Sequence, residues 1–261
     1  MDDNDAYENE RQARRGRALL DQLPGKLTPA MLIGLDQFHA GGLEAAERLL
    51  RIGEVGEGMT VVDLGAGLGG PARLAAAAGA NVVGIDTSPS FVDLATALSA
   101  RCALPGRVEF RVGDMTSPGL PDHVADRVML IHAQMNIADK PALVRTISRI
   151  LKPGGKLLVW EVCATGAGEV TWPTPWSLDG TDSHLVDSAT LRAELERAGL
   201  HIDSWEDRSG WVAGWFRQAA GAQVATPSLL TFLDRGQERA QNFARGIATG
   251  QLAVVEGVAH A

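Results

Sequence analysis

Aromatic residues make up only 5% of the 261-residue chain; tyrosine occurs once, at Tyr7, and cysteine twice, at Cys102 and Cys163. The two thiols stand far apart, with no Cys-x-x-Cys and no partnered histidines, so neither a disulfide framework nor a zinc site is indicated. They read as ordinary reduced thiols, and no metal is expected. No apolar run approaches the roughly 20 residues that a bilayer span requires. The opening "MDDNDAYENE" is acidic where a secretory leader is basic and then apolar, so a cytoplasmic protein is expected. Basic charge is also scarce. A formal net charge of -8 leaves no excess of cations to neutralise a nucleic-acid backbone, and neither nucleic acid nor membrane is expected as a partner. The one basic cluster, "RQARRGR" from Arg11 to Arg17, reads as a solvated helix face. No internal repeat is present.

Hydrophobic residues reach 45%, enough for a substantial core, and the 30 glycines and many alanines suit helices packed closely on a sheet. A chain of this size fits one α/β domain with appendages. From Met59 to Val162, short β-rich runs alternate with amphipathic segments, the pattern of a parallel sheet wrapped by helices. "MTVVDLG", "NVVGID", "RVEFRVGDM", "ADRVMLIHAQMN" and "KLLVWEV" read as strands one to five. Pro71 opens the first intervening helix and Gly79 closes it; Ser88 or Ser90 caps the second, and "KPGG" closes the helix before strand five. The stretch from Cys163 to Asp187 lacks periodicity and is rich in Gly, Pro, Thr and Trp, as lids and binding loops are. "SATLRAELERAGL" then reads as a helix and "HIDSWED" as a strand, and the tail from Gly210 is expected to be helical. The expected organisation is a single domain, 1–261: a helical cap (1–55), a cofactor-binding core (56–162), an insertion (163–187) and a C-terminal part (188–261) that completes the sheet and adds helices.

Gly65, Gly67 and Gly70 satisfy Gly-x-Gly-x-x-Gly between a strand and a helix, which alone would suit a nicotinamide or flavin site. Asp86, about twenty positions on, is placed for ribose hydroxyls in either kind of nucleotide site. Asp63 separates the alternatives. It lies at the strand end, where a carboxylate would repel a diphosphate but suits a ligand that carries an ammonium and a sulfonium. "GDM", from Gly113 to Met115, adds an acid able to accept from an adenine amino group and a methionine to pack on the ring.

In this order and spacing, "VVDLGAGLGG", "VVGIDTS", "GDM" and "LKPGGKLLV" resemble the motifs of class I S-adenosylmethionine-dependent methyltransferases, over about Gly56 to Val162. In "DQFHAGG" and "HAQMNIADK" the chain is similar to small-molecule methyltransferases of the sarcosine and dimethylglycine N-methyltransferase type. The resemblance implies a Rossmann-like seven-stranded sheet, its last strand antiparallel, with helices on both faces and S-adenosylmethionine across the strand ends, leaving S-adenosylhomocysteine as product. It implies that Asp63, Gly65, Ala66 and Gly67 hold the methionine part, with Asp86, Thr87 and Ser88 at the ribose. Gly113, Asp114 and Met115 would then border adenine, and Gln37 would close over the cofactor. Methyl transfer is an in-line displacement that needs a positioned nucleophile and a dry pocket. His132, ending strand four, is the candidate base or cofactor contact, with His39, Met135 and Asn136 beside the acceptor. Trp172, Trp176, His184 and Trp215, together with Trp211, could wall an aromatic acceptor chamber able to greet a methylated ammonium. The expected activity is methylation of nitrogen or oxygen on a small molecule of specialised metabolism. Two rivals stand beside it: a protein that binds S-adenosylmethionine without methylating, as in a cyclisation, and a nicotinamide oxidoreductase. The missing Tyr-x-x-x-Lys counts against the commonest short-chain form of the latter. A homodimer is compatible with the chain.

Overall fold

The computed structural model describes residues 10–220 and 233–261. Three helices lead in: α1 (Glu10–Gln22), α2 (Pro29–Asp36) and α3 (Gly42–Ile52). The alternating part runs β1 (Thr60–Leu64), α4 (Gly70–Ala77), β2 (Asn81–Asp86), α5 (Pro89–Ala100), β3 (Val108–Val112), β4 (Ala125–Ile131), α6 (Lys140–Ile150) and β5 (Leu151–Ala164). After the insertion come α7 (Ser188–Arg197), β6 (His201–Asp207), α8 (Ser209–Ala220), α9 (Gly236–Ala248) and β7 (Leu252–His260). The seven strands stand in the order β3-β2-β1-β4-β5-β7-β6. All are parallel except β7, which runs antiparallel to both β5 and β6.

The central strands are covered on both faces, and this is why they read as near-continuous apolar runs. Successive side chains of a strand point to opposite faces. Val62, Leu64, Val128 and Leu130 therefore pack with Leu143, Val144, Ile147 and Leu195 of α6 and α7. Val61, Met129, Leu158 and Trp160 pack with Ala45 and Leu49 of α3, Ala72 and Ala75 of α4, and Phe243 and Ile247 of α9. Asp63 shares the parity of Val61, so its carboxyl rises on the cap side. Pro71 lies in the first turn of α4, and Ser88 Oγ caps α5 by accepting from Phe91 N at 3.2 Å.

Three segments differ from the sequence expectation. Strand four stops at Ile131: His132 takes a left-handed φ of 47°, and Gln134–Asn136 form a 3-10 turn. "KPGG" does not end a helix but lies within the bounds of β5, where pairing jumps from Ala125↔Leu151 to Arg127↔Lys156. The tail is helical only in part, because its end, "LAVVEGVAH", is the strand β7. Arg14 and Arg17 of the basic cluster are exposed, and Tyr7 lies outside the described residues.

The cap is fastened by a fully buried ion pair. Arg73 of α4 donates from Nη2 to Asp36 Oδ2 at 2.8 Å and from Nη1 to Ser99 Oγ at 2.9 Å, while Gln37 Nε2 donates to Asp36 Oδ1 at 2.9 Å. Removing one partner of such a pair leaves the other charge buried and uncompensated. Arg73→Met is therefore expected to destabilise the protein by about 3–5 kcal/mol, read as a lower urea midpoint. A loss within experimental error would mean that the pair is not what holds the cap.

Candidate functional site

Strand order reverses between β1 and β4, and in open α/β sheets ligands bind beyond the carboxyl ends of the strands at such a point. A cleft of about 320 Å³ opens there. Its floor is Asp63, Gly65, Ala66 and Gly67 from the end of β1, Asp86 and Thr87 from β2, and Ile131, His132 and Ala133 from β4. Met115 closes one side, His39 comes from the cap, Met135 and Asn136 from the 3-10 turn, and Trp176 and His184 from the insertion.

The loop after β1 is a glycine loop for steric reasons. Gly65 has φ +80°, and a Cβ there would lie 2.5 Å from Ala133 Cβ. Gly67 has φ +52° with nothing within 4 Å of a Cβ, so its bare backbone faces open cleft. The loop amides do not serve an anion. Gly65 N and Ala66 N donate to Ile85 O at 2.8 and 3.0 Å, Gly69 N donates to Ala66 O at 2.8 Å, and Gly67 N donates to Asp86 Oδ2 at 2.8 Å. A pyrophosphate loop needs such groups turned toward the ligand.

Charge points the same way. Asp63 is 2% exposed, and its Oδ2 has no hydrogen-bond partner. Burial, with a smaller push from the Asp86 carboxylate, raises its carboxyl to about 7. No lysine or arginine lines the cleft among the described residues. A donor set of unpaired buried acid, second acid and bare glycine fits a cationic nucleoside such as S-adenosylmethionine and opposes a diphosphate.

Two imidazoles sit opposite. His39 Nε2 lies 3.0 Å from the Gly42 carbonyl, so Nε2 carries the hydrogen and Nδ1 is left as an acceptor. Burial lowers its pKa to about 4. His132 is lowered well below the usual histidine range by burial and then by His39; its ring lies 6.1 Å from that of His39 and 5.6 Å from that of Phe243, and its Nε2 has no partner. A non-glycine residue held at positive φ stores strain, and such outliers cluster at functional sites.

The insertion is bolted to the 3-10 turn through main-chain groups. His184 N donates to Met135 O at 2.6 Å, and Asn136 Nδ2 to Trp176 O at 3.0 Å. Lys140 Nζ donates to Gln134 O at 2.7 Å, Ile137 O at 2.5 Å and His184 O at 2.7 Å. Below them Glu161 Oε1 accepts from Ala133 N at 2.8 Å and Gln134 N at 3.2 Å.

Several residues singled out from the sequence stand outside the cleft. Asp114 is exposed and turns onto Thr116 N and Oγ1 at 2.7 and 2.8 Å, and Gly113 beside it donates to Asp86 O at 2.9 Å. Ser88 uses its hydroxyl as the α5 cap. Gln37 lies behind Asp36, against Gly70. Trp172 forms an outer layer on Trp176, their rings 6.3 Å apart, and Trp215 packs on Phe216. Trp211 supports Trp160 at 5.8 Å. Conversely, Asp36, Phe38, Phe91, Ile137, Pro175 and Asp182 line the cleft without having been singled out. Asp36 and Phe38 lie within the motif "DQFHAGG" and Ile137 within "HAQMNIADK"; Phe91, Pro175 and Asp182 have no such signal.

Residues 62–159 match the family model described as a methyltransferase domain. A phosphoethanolamine N-methyltransferase of Triticum aestivum is 32% identical over 72% of this chain and 37% of its own length. The sterol 24-C-methyltransferase erg6 of Aspergillus fumigatus is 37% identical over 64% of this chain and 46% of its own. The chain thus spans less than half the length of these curated relatives. Among solved structures, Haemonchus contortus phosphoethanolamine N-methyltransferase 2, in complex with phosphomonomethylethanolamine and S-adenosylhomocysteine, superposes with a TM-score of 0.68 at 23% identity, over 88% of this chain and 55% of that one. A putative sarcosine dimethylglycine methyltransferase from Galdieria sulphuraria gives a TM-score of 0.63 at 16% identity, over 97% and 98%. Fold and cleft define a nucleotide-binding α/β protein of the methyltransferase type. Residues 62–159 are a methyltransferase domain of the class I S-adenosylmethionine-dependent type.

The unpaired acid has a measurable cost. Its folded-state pKa lies above the unperturbed 3.8, so the protonated form favours folding; this contribution is complete below about pH 4 and is lost as pH rises through about 7. Asparagine is neutral throughout. The stability of Asp63→Asn relative to the unsubstituted protein, followed by urea denaturation without ligand, is expected to climb from pH 4 to 7 and level off above. Parallel pH curves would show that Asp63 is not buried uncompensated.

Proposed function

We propose that the protein transfers the methyl group of S-adenosylmethionine to a nitrogen or oxygen of a small-molecule acceptor of specialised metabolism, by in-line displacement, with residues 1–261 acting as one domain. The observation that carries this reading is the unpaired Asp63 carboxyl in a cleft where the Gly65, Ala66 and Gly67 amides are engaged within the protein and where, among the described residues, no lysine or arginine lines the wall. When bound, the cofactor supplies a methyl group on a positively charged sulfur. Asp63 receives its ammonium, Asp86 and Thr87 face the ribose, and Met115 packs against the base.

The protein's own part in the chemistry is to dry and aim. Met135, Trp176 and the cap close the cleft against water, which strengthens every charge interaction inside it. His132, kept uncharged by burial, presents an imidazole able to accept a proton from a hydroxyl or to hold a nucleophile by hydrogen bond. His39, Asn136 and His184 border the acceptor. The curated relatives support the donor and leave the acceptor open, since one is named for phosphoethanolamine and the other for a sterol carbon.

Titration calorimetry tests the reading. S-adenosylmethionine and S-adenosylhomocysteine are expected to bind, and NADH to give no heat. A charge-assisted hydrogen bond contributes about 1.5–3 kcal/mol, so Asp63→Asn should weaken S-adenosylmethionine binding roughly tenfold to a hundredfold. Binding at pH 6 should release protons, because a cationic ligand favours the ionised carboxylate, and Asp63→Asn should abolish that release. His132→Ala should lower turnover with little change in cofactor affinity. NADH uptake without heat from either sulfur nucleoside would sink the proposal.

A further inference from the structure

The relatives differ in acceptor, and the cleft wall carries information about this one. Three buried cations stand close behind it, and each is turned away from it. Arg73 is consumed by Asp36, Ser99 and main-chain carbonyls. Lys140 gives Nζ to the carbonyls of Gln134, Ile137 and His184. Arg239, 1% exposed, donates from Nη1 to Pro175 O at 3.2 Å, beneath the insertion. The segments outside the described residues, 1–9 and 221–232, contain no lysine or arginine. Among the described residues, the titratable groups that line the cleft are therefore carboxylates and imidazoles alone.

On the acceptor side the carboxylate is Asp182, whose Oδ1 accepts from Ser177 Oγ and which lines the cleft together with Trp176 and His184. Ile137, Met135 and Pro175 make the rest of that wall apolar. Of the residues that line the cleft, Asp63 and His132 have a buried polar atom without a partner, Oδ2 and Nε2, and the His132 ring carries no charge. A phosphate, diphosphate or carboxylate placed here would meet the exposed Asp182 carboxylate at the cleft mouth, with no cation among the described residues lining the cleft to compensate it. An ammonium would gain from Asp182. We infer that the acceptor carries an ammonium beside an apolar body, that this ammonium is held against Asp182 while the methyl passes to a separate nitrogen or oxygen with a free lone pair, and that phosphorylated and carboxylated acceptors are rejected. This deepens the methyl-transfer reading and rests on it.

Four probes of similar shape and different charge test the inference on protein saturated with S-adenosylhomocysteine: 2-phenylethylamine, 2-phenylethanol, 3-phenylpropanoate and 2-phenylethyl phosphate. The amine should bind at least about tenfold more tightly than either anion, and its binding should weaken with added salt. Asp182→Asn keeps the acceptor oxygen for Ser177 and should lower affinity for the amine while leaving that for the alcohol unchanged. Ile137→Lys, which puts a cation on the wall, should admit the phosphate. An anion that binds as well as the amine, a common loss for amine and alcohol in Asp182→Asn, or no binding of any probe overturns the inference while the cofactor reading stands. Failure of S-adenosylhomocysteine itself to bind removes both.

Discussion

A carboxyl without a counter-charge, buried where the sheet changes direction, is the constraint around which this molecule is arranged. Asp63 and Asp36 are both about 2% exposed, yet the structure treats them in opposite ways. Asp36 receives a guanidinium and an amide, and the result is a clamp between cap and α4. Asp63 receives nothing at Oδ2, and its neighbour Asp86 already serves Gly67 and Ser88 amides. Burying an acid without a partner costs stability at neutral pH. Such a group is compensated when a cation arrives from outside, so the same feature that weakens the empty protein selects its ligand.

Polar groups elsewhere follow a complementary rule: they hold the walls by binding main chain. Trp160 Nε1 reaches the Ala40 carbonyl at 2.9 Å and sets the cap on β5. Lys140 gathers carbonyls from the 3-10 turn and from the insertion, and Arg239 and Asn242 of α9 hold the carbonyls of Pro175 and Pro173. Backbone carbonyls are obligatory acceptors and need partners wherever they are buried. A long insertion with little regular structure has many of them, and cations are efficient donors. Because the nearby cations satisfy this need, none is left to face the cleft, and rigid walls and an acidic interior become one design.

The parts legible in the sequence are those fixed by local rules. β1 to β3, β5 and the helices between them follow from apolar runs, caps and glycines, and the acids at the ends of β1 and β2 follow from their distance to those glycines. What escaped depends on tertiary context. The end of strand four is not marked in the sequence, since "HAQMN" has neither glycine nor proline to break it, whereas His132 leaves the sheet through a left-handed turn whose amides Glu161 collects. Asp114 has the spacing of an adenine contact but turns to its own neighbour Thr116, a local competition that spacing cannot reveal. In the insertion, alternation of inward and outward residues is set by docking on α9 and the 3-10 turn. Trp176 and Asp182 thus face the cleft and Trp172 does not, with no periodicity to distinguish them.

The tail from Gly210 is expected to be helical, yet its end is the antiparallel strand that the resemblance implies, and the consequence is mechanical. "LAVVEGVAH" carries small apolar residues on both faces because it enters between β5 and β6, where both sides are buried. Its Glu256 binds Arg48 of α3 at 2.6 Å and Arg208, just before α8, at 2.7 Å. A carboxylate with two guanidiniums stays ionised despite its burial, its pKa held below the usual glutamate range. One residue of the last strand therefore ties the cap to the C-terminal helices. Without β7, β6 would lose its sheet partner and Arg48 and Arg208 their shared anion. The cap that carries Asp36 and His39 to the cofactor loop is thus positioned by the residues folded into the sheet last in sequence, and site assembly is a property of the whole described chain.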